Sequence, residues 1–104
     1  MRDVTRHVVT AFINGRRASR GNTSTDGRRM YLHGNLIAER LADGSIWGTL
    51  AGWSTATTRE RLNGLCLLLH SPVRFYQRDY VQNVNAWHGG AVPIAYDDWI
   101  KLVS

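Results

Sequence analysis

An amphipathic helix is predicted in the middle of the chain, between two groups of segments that favour β-strands. Thr57 and Glu60 have capping-box spacing at its start, and Ser71-Pro72 ends it, because the residue before proline avoids the helical region. The predicted helix runs from about residue 57 to residue 69. Its apolar side chains at i, i+3, i+4 and i+7 form one stripe: Leu62, Leu65, Cys66 and Leu69. The two leucines after Cys66 lie off the stripe, so we expect the last turn to be buried on several sides. The stripe should pack against Phe12, Leu32, Leu36, Ile37, Ile46, Leu50 and Phe75.

The segments on either side of the helix have the composition of strands. Asn14-Gly15 and Asp43-Gly44 are typical of hairpin turns, and Pro93 indicates an edge strand. The order of strands, one helix and more strands predicts a single α+β domain over residues 1–104, with an antiparallel sheet of short strands and hairpins packed against one main helix. The predicted strands cover residues 7–13, 16–19, 30–32, 36–41, 46–51, 73–76, 80–84 and 91–96. Residues 20–28 are predicted as a loop, 87–90 as a turn, and 97–103 as either a short helix or a last strand.

Positive charge is concentrated in the first 40 residues. These carry eight arginines and three acidic residues, whereas residues 41–104 carry five cations and five acids, so the net charge of +5 belongs to the N-terminal part. Twelve of the thirteen cations are arginine, whose planar guanidinium binds phosphates and stacks on aromatic rings. A GC-rich genome would also enrich arginine, so the choice of cation alone decides nothing.

The candidate binding surface is a basic hairpin and loop near the N-terminus. If the hairpin at Asn14-Gly15 and the loop over residues 20–28 project together, they form a finger that offers backbone N–H groups to phosphates. The arginines of this finger are Arg16, Arg17, Arg20, Arg28 and Arg29. Tyr31 and His33, with Trp47 and Trp53, follow closely enough in sequence to stack on bases. The alternative is an exposed hairpin kept soluble by its charges.

Two further arginines, Arg59 and Arg61, lie in the first turns of the predicted helix. Cations at this end oppose the helix dipole, which indicates an anionic partner or ion pairs with acids such as Glu60. Other chemistry is poorly supported. The four histidines lack metal-ligand spacing, Cys66 lies on the apolar stripe, and the polar loop is not a Walker loop. We therefore expect no metal, no cofactor and no enzymatic activity.

Three sequence segments resemble a family of small proteins of tailed bacteriophages. They are Thr25-Asp26-Gly27, Tyr31-Leu32-His33-Gly34-Asn35, and Gly52-Trp53 followed by Thr57-Thr58-Arg59-Glu60-Arg61-Leu62-Asn63, within residues 20–78. The family has no established activity, so the resemblance assigns no site residue. It implies a phage protein in the cytoplasm of a bacterial host. The lone cysteine fits that compartment, and the longest apolar run, of five residues, is too short to span a membrane.

These observations predict a non-enzymatic accessory protein that binds nucleic acid or a phosphorylated ligand. The alternative is a protein-binding module that inhibits or redirects a bacterial host factor such as a polymerase, a nuclease or a defence complex. Four tryptophans in a chain of 104 residues favour that alternative wherever they stay exposed beside arginine.

Overall fold

The computed structural model describes residues 1–53, 55–85 and 90–104. Two helices and nine strands are found there. In chain order they are α1 (Asp3–Ile13), β1 (Ala18–Arg20), β2 (Thr23–Thr25), β3 (Arg29–Leu32), β4 (Asn35–Arg40), β5 (Ile46–Gly48), α2 (Ala56–Leu68), β6 (Arg74–Arg78), β7 (Val81–Asn85), β8 (Ala91–Pro93) and β9 (Ile100–Val103).

The strands form two antiparallel sheets. The larger has the order β1-β2-β3-β4-β5-β9, and the smaller has the order β6-β7-β8. The α+β prediction is confirmed, although two helices pack on the strands where one was expected. Residues 97–103 end in a strand, and Pro93 lies in the edge strand β8, as predicted. Most of the predicted turn at 87–90 lies outside the described residues. No helix in the described ranges is long and apolar enough to cross a bilayer.

The prediction of a strand at residues 7–13 is wrong, because this segment belongs to helix α1. Its β-branched residues favour strands locally. The buried positions nevertheless follow helical spacing, at i, i+3, i+4 and i+7: Thr5, Val8, Val9 and Phe12. The free energy gained by burying this stripe against α2 and strands β1 to β3 outweighs the local preference for a strand.

Asn14-Gly15 ends helix α1 and does not form a hairpin turn. Gly15 has φ +68, and its N–H donates to the Phe12 carbonyl at 3.1 Å. The N–H of Arg16 donates to the Ala11 carbonyl at 2.8 Å. This pair of bonds is a Schellman motif, which needs a residue that tolerates positive φ at the position of Gly15.

The predicted loop at residues 20–28 contains strand β2. Ser19 pairs with Ser24, and Ser24 pairs in turn with Tyr31 of β3. The flanking side chains Thr23 and Thr25 are buried. The Thr23 hydroxyl accepts a hydrogen bond from Arg61 Nε, and the Thr25 hydroxyl donates one to the Arg29 carbonyl. A polar segment can therefore form an inner strand, because its buried hydroxyls have partners.

Helix α2 begins one residue earlier than predicted. Its N-cap is Thr55, whose hydroxyl accepts a hydrogen bond from the Thr58 N–H at 3.2 Å, so the capping box at Thr57 and Glu60 is wrong. Leu67 is 53% exposed, which contradicts the expectation of a last turn buried on several sides.

The main core forms where the stripe of α2 meets α1 and the larger sheet. Leu62, Leu65 and Cys66 are fully buried, and Leu69 is half-buried. The predicted partners join the same cluster except for Leu36, which is half-buried on the sheet. The two helices pack tightly at Gly64, where an added Cβ would lie 2.5 Å from Thr5 Cγ2.

Candidate nucleic-acid interface

An open groove runs between the exposed face of helix α1 and strand β1. Its volume is about 610 Å³. The helix presents this face because its opposite side is buried in the core. Asp3 is its one acidic residue. The remaining lining is basic or neutral: Arg6, His7, Thr10, Ala11, Asn14, Arg16, Arg17, Ala18 and Arg20.

Three of the predicted site residues, Arg16, Arg17 and Arg20, lie in this groove and are exposed. They do not project on a hairpin. Arg16 and Arg17 follow the end of α1, and Arg20 ends β1, an edge strand of the larger sheet. Arg6 was not selected from the sequence. It joins the group because α1 is a helix, which places Arg6 on the face opposite the buried stripe.

The turn between β2 and β3 brings Arg28 close to the end of helix α1. An added Cβ on Gly27 would lie 2.6 Å from the Gly15 carbonyl oxygen and 3.1 Å from the backbone nitrogen of Arg16. The Asp26 carboxylate accepts hydrogen bonds from the N–H groups of Arg29 at 2.8 Å and Arg28 at 2.9 Å, and these bonds lower the pKa of Asp26. Arg28 is exposed but does not line the groove, and its Nε donates to the Arg40 carbonyl at 3.3 Å.

Arg29 and Tyr31 lie away from the groove. The Arg29 guanidinium pairs with the Glu39 carboxylate at 3.2 Å, and this bond raises the pKa of Arg29. Tyr31 is half-buried and lines a shallow depression with Ser19, Ser24 and Arg17. The depression borders the groove at Arg17 and Ala18.

His33 lies at a separate apolar pocket at the other end of strands β2 and β3. The pocket has a volume of about 140 Å³. It is lined by Leu32, His33, Asn35, Ile37, Trp53, Thr55 and Thr58. His33 (φ +51) and Gly34 (φ +79) form the tight turn between β3 and β4, and Trp53 follows a second turn at Ala51 (φ +56) and Gly52 (φ +84). Trp53 is 55% exposed.

Arg61 is buried and does not contribute to an exposed surface. Only 2% of it is accessible, and its guanidinium donates to Thr23 Oγ1 at 2.9 Å, to Thr5 Oγ1 at 3.0 Å and to Asn22 Oδ1 at 3.2 Å. It also pairs with the adjacent Glu60. This ion pair is the alternative that the sequence predicts for Arg61, and it explains why a cation is tolerated near the start of α2.

Arg59 is half-buried on the other side of the helix. Its Nη1 donates to Gln82 Oε1 at 3.0 Å and approaches Gln77 Oε1 at 3.4 Å. Arg59 therefore lies beside the smaller sheet, and the structure does not bring it together with the groove.

Arg40 is a second structural arginine, and no local pattern in the sequence distinguishes it from the exposed arginines. Its guanidinium donates to the Gly27 carbonyl at 2.6 Å and to the Phe12 carbonyl at 2.9 Å, and it lies 4.9 Å from the centre of the Phe12 ring. A cation at the end of α1 also stabilises the helix dipole. Arg40 thus fixes the helix and the turn that border the groove.

Among the described residues, no group of three His, Cys, Asp or Glu side chains is arranged to hold a metal ion. Cys66 is buried, and burial raises the pKa of its thiol to about 12. The thiol is therefore protonated at neutral pH and has no solvent access, which makes it a poor nucleophile.

The fold and these surfaces define a small α+β protein with an arginine-lined groove and a separate apolar pocket. The chain belongs to the Kyanoviridae Gp96 protein family, whose model matches residues 1–101. The predicted membership of a bacteriophage protein family is therefore confirmed. Searches of curated proteins and of solved structures give no significant match.

Proposed function

We propose that this phage protein binds nucleic acid through the groove between α1 and β1. The observation that carries the proposal is the lining of the groove, in which four arginines and His7 face a single acidic residue, Asp3. Arginines on an open surface bind phosphates through paired N–H groups, and this charge-driven binding does not require a sequence motif.

The position of strand β1 also allows backbone N–H groups of the same surface to contact phosphates. Strand β1 is an edge of the larger sheet, so its outer side is not paired by another described strand. Backbone N–H groups are common phosphate ligands in protein–nucleic acid complexes. The arginines are also held on regular elements or directly after them, which limits the conformational entropy lost on binding.

The test is the salt dependence of binding to short single- and double-stranded DNA and RNA. If four phosphates are contacted, affinity should fall by about 50- to 150-fold between about 50 and about 200 mM salt, log-linearly. No binding at low salt would overturn the proposal.

Matched variants separate the groove from net charge. Arg6, Arg16 and Arg20 are replaced with glutamine in one variant, and Arg29, Arg78 and Lys101 in the other. Both lose three positive charges, but only the first changes the groove. We expect the groove variant to lose about two to three units of salt slope and the control to keep most of it. Equal losses in both variants would show that only total charge matters.

Binding to a bacterial host protein is the second candidate, and it is favoured by the turn between β6 and β7. Tyr80 at this turn is 88% exposed, and Asp79 and Tyr80 have φ +52 and +64, where a large side chain is unusual. Exposed tyrosines are enriched at binding hot spots. After nuclease treatment, a lysate protein captured by the parent but not by a Tyr80→Asn variant would support this function. Equal capture by both would contradict it.

A further inference from the structure

The apolar pocket beside Trp53 has the size and chemistry of a site for one flat ring. Its volume of about 140 Å³ is close to that of an engineered protein cavity of about 150 Å³ that binds benzene. Leu32 and Ile37 are buried at this pocket, whereas Trp53 is exposed and offers a ring face for stacking. The side chains of Asn35 and His33 supply hydrogen-bonding groups beside the apolar lining.

The pocket and the basic groove are joined by a single turn. Arg20, which lines the groove, ends β1, and the turn at Gly21-Asn22 follows directly. The Asn22 side-chain nitrogen lies 3.4 Å from His33 Nε2, and His33 lines the pocket. A ligand with phosphates along Arg16, Arg17 and Arg20 could therefore extend past this turn and reach the pocket.

We propose that the pocket binds a pyrimidine base of a single strand whose phosphates lie in the basic groove. This inference rests on the proposed function. Only an unpaired base can leave its neighbours and enter a pocket, so the preferred ligand is single-stranded. The two fused rings of a purine exceed a cavity that matches one ring.

The probes are single-stranded oligonucleotides of about ten nucleotides. We use oligothymidylate, oligoadenylate and an abasic strand of equal charge, with thymidine monophosphate as the free nucleotide. Stacking of a base on an aromatic side chain strengthens binding by about 5- to 150-fold. We expect oligothymidylate to bind more tightly than the abasic strand by a factor in this range. Oligoadenylate should lie between them.

Trp53→Ala should remove the advantage of oligothymidylate over the abasic strand and leave the salt-dependent binding of both. The matched control is Trp99→Ala, since Trp99 is also exposed but lies with Trp47 and Leu41 away from the pocket. Trp53→Phe, which keeps a ring for stacking, should retain part of the advantage. Thermal melts check that each variant is folded.

The outcomes distinguish this inference from the proposed function. If Trp53→Ala keeps the preference for oligothymidylate, the assignment of the pocket is overturned, whereas nucleic-acid binding by the groove is still supported. A different outcome is that no strand binds, but thymidine monophosphate quenches tryptophan fluorescence in the parent and not in Trp53→Ala. That result would overturn nucleic-acid binding by the groove and support pyrimidine binding by the pocket. Equal affinity for oligothymidylate and oligoadenylate overturns the pyrimidine preference. Absence of any binding overturns both proposals.

Discussion

Arg61 Nε donates a hydrogen bond of 2.9 Å to the hydroxyl of Thr23, which joins helix α2 to strand β2 through a buried guanidinium. The same guanidinium contacts Thr5 of α1 and Asn22 of the turn before β2. Three elements that are distant in sequence therefore meet at one side chain. The turn held by this network also separates the basic groove from the apolar pocket.

We expect replacement of Arg61 with methionine to destabilise the protein strongly. Methionine fills part of the space but leaves Glu60 and the two threonine hydroxyls without the guanidinium. Removing one partner of a fully buried ion pair costs about 3–5 kcal/mol, and because the Glu60 side chain is 29% exposed we expect a loss near the lower end of that range. The free energy of unfolding in urea measures the loss. Arg20→Met is the control, because an exposed arginine contributes less than about 0.5 kcal/mol. Similar urea midpoints for the two variants would contradict the structural role of Arg61.

Arg61 also shows why the candidate site could be predicted only in part. Charge and position relative to the helix end are visible in the sequence, but burial is not. The partners that stabilise its charge lie 38 and 56 positions away, at Thr23 and Thr5. In contrast, Arg16, Arg17 and Arg20 lie close together in sequence beside a polar segment, and the structure leaves all three exposed.

The fold was predictable where local signals and tertiary packing agree. Leu62, Leu65 and Cys66 form a helical stripe between clear boundaries, and the structure buries them. In α1 the two signals conflict, because Val8 and Val9 favour a strand but occupy helical core positions. The helical spacing of Thr5, Val8, Val9 and Phe12 is the signal in the sequence that indicates this helix.

The crossing of the two helices at Gly64 predicts an unusual effect of alanine. In an open helix, alanine is more stable than glycine by about 1 kcal/mol. Here the new Cβ would lie 2.5 Å from Thr5 Cγ2, so we expect Gly64→Ala to destabilise the protein by about 1–3 kcal/mol. Thr5→Ser removes the methyl group and keeps the hydroxyl that bonds Arg61. The double variant should recover most of the loss in thermal unfolding. No recovery would show that this contact does not limit the approach of the helices.

Ionisation of the Glu60 carboxyl should make the free energy of unfolding depend on pH. Burial disfavours its charge, but hydrogen bonds from Thr5 and Arg61 outweigh burial and lower its pKa. Because the unfolded chain has the higher pKa, about 4.3, the contribution of Glu60 is present above that pH and is lost as pH falls through the folded value. Glu60→Gln should therefore be less stable than the parent at pH 7, by urea unfolding, and the difference should shrink below about pH 4. A difference that stays constant with pH would contradict this linkage.

Gly27 holds the β2–β3 turn against the end of helix α1, and its replacement should be costly for two reasons. Its φ of +97 is disfavoured for other residues, and an added Cβ would lie 2.6 Å from the Gly15 carbonyl oxygen. Backbone atoms on both sides limit relaxation, because Arg40 bonds the Gly27 carbonyl and the last turn of α1.

Gly44 provides a control with a similar φ of +88 but open space, since nothing lies within 4 Å of an added Cβ there. Gly44→Ala should cost about 1–2 kcal/mol from its backbone conformation alone. Gly27→Ala should cost at least about 1 kcal/mol more, because the steric overlap adds to the same backbone term. The difference in unfolding free energy between these two variants isolates the close approach. Equal losses would mean that the turn can move away from α1.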